Sequence, residues 1–178
     1  MIPTRKLTII AVLAALAIVL HLFEALIPIP FPIPGVKLGL ANIITLLALI
    51  LFDFKTAFLI VIMRTVLGSL LSGTLFNIAF LLSLSGAITA TCLMAVLLAL
   101  SSWSSSGSGI ILVSVAGAAA HNLGQLTMAA VLIKHSGIFY YLPVMLLSSI
   151  PTGVLTGLLL KSLLQNLKSS GYLDDFSF

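Results

Sequence analysis

Charge is scarce in this sequence: of 178 residues only 7% are Asp, Glu, Lys or Arg, and only four are acidic. A soluble domain of this length needs a far more charged surface to stay in solution. A bilayer favours the opposite, because an ionised group at mid-depth costs at least a few kcal/mol. Four acids also leave almost nothing from which to build a carboxylate cluster. A single cysteine, Cys92, excludes an intrachain disulfide, so cysteine usage carries no information on redox compartment. No phosphate-cradling GxxxxGK[ST] loop is present, so any ATP-driven step needs other proteins. No polar stretch is long enough for a second, soluble domain, and no internal repeat is evident.

What the sequence has in abundance is apolar length. Hydrophobic residues make up 61% of the chain, and the mean hydropathy is +1.31. Six apolar runs approach or reach the length needed to cross the hydrocarbon as helices. They predict spans at residues 7–27, 37–52, 56–72, 77–100, 110–133 and 140–164, the second of them short. The fold class expected is an all-α membrane protein, a six-transmembrane-helix bundle forming a single integral membrane domain over residues 1–178. The first run reaches Pro28 without a small-x-small cleavage site, which points to a retained span. Pro28, Pro30, Pro32 and Pro34 exclude a helix over the next segment. Ser101–Gly109 reads as a flexible linker, and Pro151 as a kink in the sixth span.

The net charge of +4 comes from few and scattered basic residues. They fit orientation and contact with lipid headgroups, not nucleic acid. Placing both termini in the cytoplasm puts Arg5, Lys6, Lys55, Lys161 and Lys168 inside and only Lys37 and Lys134 outside. The expected location is therefore the cell membrane, multi-pass, with both ends cytoplasmic.

Depth then follows from position. His21 and Glu24 fall in the outer half of the first span, Asn42 in the outer part of the second, and Arg64 midway along the third. Asn77 opens the fourth, and His121, Asn122 and Gln125 occupy the middle and outer fifth. Intramembrane ionisable groups persist where they face the bundle interior, find a partner or line a wet cavity. Several at one depth on different helices predict a small-molecule pocket open to the outside, lined by Glu24, Lys37, Asn42, Arg64, Asn77, His121, Asn122 and Gln125. Arg64 and Glu24 have two readings, an ion pair joining helices or direct ligand contact. Lys37 also suits an interface anchor. His21, Glu24 and His121 are metal-ligating types, but their spacing does not select a metal, and neither metal nor cofactor is expected. Ala11 and Ala15, and Gly153 and Gly157, are small residues four apart, a spacing that lets helix backbones approach closely.

Three ordered motifs add a resemblance: Pro34-Gly-Val-Lys-Leu-Gly-Leu-Ala-Asn42, Arg64-Thr-Val-Leu-Gly-Ser-Leu-Leu-Ser-Gly-Thr74 and Ala120-His-Asn-Leu-Gly-Gln125. Together they resemble the family labelled heptaprenyl diphosphate synthase component I, also called the Gx transporter family. That family is grouped with the substrate-binding S components of energy-coupling factor transporters. The resemblance implies an S-component-like bundle that captures a vitamin-, cofactor- or quinone-precursor-like solute outside. It further implies partnership with a transmembrane T component and ATPase subunits, docked through Ala11 and Ala15. The family label supports an alternative, a non-catalytic membrane subunit or anchor for long-chain prenyl diphosphate synthesis. Prenyl transfer needs magnesium ions held by clustered carboxylates, which four scattered acids cannot supply, so the chain is not expected to be an enzyme.

Overall fold

A computed structural model describes residues 4–26, 39–100 and 107–170. They form six helices: α1 (Thr4–Leu26), α2 (Leu40–Leu51), α3 (Phe54–Leu71), α4 (Ile78–Leu100), α5 (Gly107–Ile133) and α6 (Leu142–Ser169), with a 3-10 helix (Ser136–Tyr141) leading into α6. Five segments are long and apolar enough to cross a bilayer, the exception being α2 with 12 residues. At 1.5 Å per residue α2 is about 18 Å long, against a hydrocarbon core of about 30 Å. It is therefore too short to cross that core by itself.

Local chemistry sets the helix ends. Phe52 is extended (φ −130°, ψ −159°) and ends α2, and Asp53 caps α3 by accepting a hydrogen bond from the Thr56 N–H at 2.7 Å. With only two residues between them, α2 and α3 form an antiparallel hairpin. The backbone and hydroxyl hydrogen bonds of Thr56 hold the exposed Asp53 carboxyl below the usual carboxylate range, helped by Lys6 and Lys55. The Lys6 ammonium sits 5.5 Å from the centre of the Phe52 ring, fastening the start of α1 to this hairpin turn. After α3, Gly73 takes the left-handed conformation (φ 69°). Asn77 then caps α4 by accepting from the Ile78 N–H at 2.6 Å. Pro151 lies within α6, which continues through it to Ser169.

Packing divides the bundle into two sequential halves. Contacts are densest between α4 and α5 and between α5 and α6; in the other half α1 packs on α2 and α3. In the α4–α6 half, small residues bring backbones together. A methyl added at Gly157 would stand 2.8 Å from the Ile111 Cα, and one at Gly153 would collide with the Val115 Cα. The pair Gly153 and Gly157 thus joins α6 to α5. Hydroxyls reinforce this half: Ser114 and Thr156 are 2.8 Å apart, and the Ser85 hydroxyl donates to the Gly124 carbonyl at 2.8 Å. The shared core is aliphatic, including Leu13, Ala17, Leu46, Ile60, Met94, Val113 and Leu160. Large apolar side chains such as Val19, Phe23, Leu100 and Leu147 face outward, as a bilayer requires.

Several helix limits differ from the sequence expectation. Gly107 to Gly109 open α5 and so belong to a helix, while the rest of the expected linker, 101–106, lies outside the described residues. The sixth helix runs on past the expected limit at residue 164 to Ser169, through the polar Gln165, Asn166 and Lys168. The proline segment and Lys37 also lie outside the described residues.

Candidate functional site

The polar groups converge where α1 ends and α2 begins. His21 and Glu24 from α1, Gly39, Ala41 and Asn42 at the start of α2, Arg64 from α3, Ser83 from α4 and His121 from α5 line one small cavity. Each half of the bundle contributes, but both formal charges, Glu24 and Arg64, come from α1–α3.

Glu24 occupies the last turn of α1, where a negative charge opposes the helix dipole. That placement is offset by α2: the Gly39 N–H donates to Glu24 Oε1, so the carboxylate sits at the positive end of a neighbouring helix. Gly39 is left-handed (φ 76°), a conformation open to glycine at little cost. Three residues on, the Asn42 side-chain oxygen accepts from Arg64 Nη2 at 3.1 Å. Arg64 is 3% exposed, and its Nε is buried with no hydrogen-bond partner among the described residues. Carboxylate, amide and guanidinium thus tie α1, α2 and α3 together at mid-bundle.

Two glycines let the imidazoles in. His21 lies against Gly68 of α3, where an added methyl would come within 2.7 Å of its ring. His121 and Gln125 lie against Gly86 of α4, where a methyl would stand 2.8 Å from the His121 carbonyl oxygen and 2.9 Å from Gln125 Cγ. The cavity left between these groups has room for about one water molecule.

Of the residues expected to form a pocket, Glu24, Asn42, Arg64 and His121 are together at the cavity. Gln125 is buried one helical turn from His121, against α4, and its Oε1 has no hydrogen-bond partner among the described residues. Asn122 faces α6, donating to the Met145 carbonyl at 2.6 Å. Asn77 is exposed and caps α4. Lys37 lies outside the described residues. Ala11 and Ala15 are on the outward side of α1, whereas Ala14 and Ala17 are buried in the core. Sequence reasoning missed Gly39, Ser83 and Gly86. Gly39 lies within one of the quoted motifs and three residues before Asn42, which was the available signal; Ser83 is one hydroxyl among many.

No group of three or more His, Cys, Asp or Glu able to hold a metal ion occurs among the described residues, and Glu24 and Asp53 lie at opposite ends of the α1–α3 half. The cavity residues His21, Glu24 and His121 likewise form no metal-ligand group.

The family model for heptaprenyl diphosphate synthase component I matches residues 13–163. No curated protein and no solved structure matches the chain. The chain therefore belongs to the heptaprenyl diphosphate synthase component I family. This membership corrects the expected partners: it points to a heptaprenyl diphosphate synthase complex, not to a T component with ATPase subunits. It equally overturns the description as an energy-coupling factor S component for vitamin or cofactor uptake. Physically, the cavity among the described residues has room for about one water, far less than a vitamin occupies.

Proposed function

We propose that this member of the heptaprenyl diphosphate synthase component I family is a non-catalytic membrane subunit or anchor associated with long-chain prenyl diphosphate synthesis. The family match over residues 13–163 carries the reading. The acid inventory supports the non-catalytic part. Prenyl elongation draws a diphosphate onto magnesium ions bridged by several carboxylates. This chain has Glu24 in the bundle, Asp53 in a turn, and Asp174 and Asp175 near its end, four acids in three separate places. Catalysis therefore belongs to a partner, and the bundle supplies an apolar setting suited to a growing polyisoprenoid tail.

The partner's side follows from charge. Arg5, Lys6, Lys55, Lys161 and Lys168 share one end, which the positive-inside rule places in the cytoplasm. A soluble synthase would meet the membrane there, at the start of α1, the α2–α3 turn and the end of α6. The test is affinity purification of the tagged chain from native membranes, paired with the distribution of prenyl diphosphate synthase activity between membrane and cytosol. Co-purification of a synthase, and its shift to the cytosol when the chain is deleted, are the expected results. An unchanged distribution and no co-purified synthase would overturn the reading.

A further inference from the structure

We propose that the cavity is an anion site whose resident occupant is the protein's own Glu24, and that it takes a carboxylate-bearing small molecule when Glu24 swings out. The inference rests on the same polar cluster but not on association with a synthase. Three observations carry it. At the N-terminus of α2 the Gly39 N–H lines the cavity and donates to a carboxylate, Glu24. The Arg64 guanidinium lines the same cavity at 3% exposure, with one nitrogen bonded to Asn42 and Nε bonded to nothing among the described residues. The carboxylate filling this place comes from the end of α1 that disfavours it, two residues before Leu26, which is 79% exposed.

A helix N-terminus and a buried guanidinium form a donor set for a planar anion, since both present N–H groups to carboxylate oxygens. With Glu24 in place the cavity has space for about one water, so an external carboxylate enters only by exchange. The exchange conserves the cavity's charge: one carboxylate leaves the Gly39 N–H beside Arg64 and another arrives, while Glu24 turns toward the exposed end of α1. Glu24 is thus an internal competitor that sets the affinity. An anion without a tail gains little from the exchange; one with an apolar body also gains contact with the surrounding aliphatic side chains.

Acetate serves as the probe, measured by saturation-transfer and line broadening of carbon-13 acetate on the full chain in nanodiscs, with sodium chloride at equal ionic strength as control. Glu24→Gln removes the competing charge without changing the side chain's size; Glu24→Ala vacates the place. If the open state is populated at about 10% or less, removing the competitor tightens acetate binding about tenfold or more. Acetate, but not chloride, should also raise the melting temperature of Glu24→Ala. Adding Arg64→Gln to either variant should abolish both effects. No acetate binding by a folded Glu24→Gln protein, or binding indifferent to Arg64→Gln, overturns the proposal. If neither Glu24 variant folds, competition is read on the wild type with carbon-13 butyrate, a carboxylate with an apolar body, whose signals must broaden in a way that chloride does not reverse. A synthase that fails to co-purify while acetate still binds would count against the anchor reading alone.

Discussion

Arg64 is where a single substitution tells most. Its guanidinium is buried, bonded to Asn42, and faces the Glu24 side of the cavity. Removing it leaves a carboxylate in the bundle without its compensating charge, a class of change that costs about 3–5 kcal/mol in protein interiors. Arg64→Gln is expected to lower stability by about that amount in denaturant unfolding. Glu24→Gln in the same chain should recover part of the loss, and the cycle should show a coupling energy of about 1 kcal/mol or more. Additive losses would mean that the two charges do not act on each other. Gly86 supplies a second case. Its place beside the His121 carbonyl leaves no space for a methyl against backbone, whereas Gly68 faces the movable ring of His21. Gly86→Ala should therefore cost about 1–3 kcal/mol and more than Gly68→Ala in the same unfolding assay.

The types of these residues were legible in the sequence; their company was not. Glu24, Asn42, Arg64 and His121 stood out because ionisable and amide groups inside apolar runs need a reason to be there. Depth along each helix put them on one level. Rotation about each helix axis was not readable, because runs that are apolar all round carry no face signal. That is why Asn122, adjacent to His121, turned out to bond α6, and why Asn77 caps its own helix.

At the scale of the element, α2 and its turn are the instructive case. The sequence suggested a short second span, and the helix is shorter still, 12 residues ending in a two-residue link. Asp53 holds the next helix at its start, so Asp53→Ala should destabilise the chain by about 1 kcal/mol. The hydrogen bonds that depress the Asp53 carboxyl favour its charged form in the folded protein. Its contribution is therefore present above the unfolded-state value and lost as pH falls through the lowered folded-state value. Asp53→Asn keeps the cap without the charge and should flatten this part of the acid side of a stability–pH curve. The effect is small, because Asp53 is exposed and screened. A steeper acid loss in Asp53→Asn than in the wild type would contradict the assignment. In α6 the paired glycines were visible as a spacing, but only the packing showed that they meet Val115 and Ile111 of this same chain.

For the whole molecule, six helices were readable from hydropathy, because the bilayer demands length and saturation of backbone hydrogen bonds. The division into two halves was not, since it depends on which faces touch. Gly153 and Gly157 against α5, with the Ser114–Thr156 and Ser85–Gly124 bonds, make α4–α6 the tighter unit. Gly153→Leu should disrupt that unit through its collision with Val115 and reduce the yield of folded protein on size-exclusion chromatography, whereas Leu at the outward-facing Ile150 should be silent.

That division also bears on the order in which the chain is made. Both bundle charges that matter, Glu24 and Arg64, and the Asn42 amide between them belong to the helices that leave the ribosome first. The second half brings only an alcohol and an imidazole to the cavity, from Ser83 and His121. A nascent chain paused after α3 thus already carries an acid and a base of opposite sign on neighbouring helices.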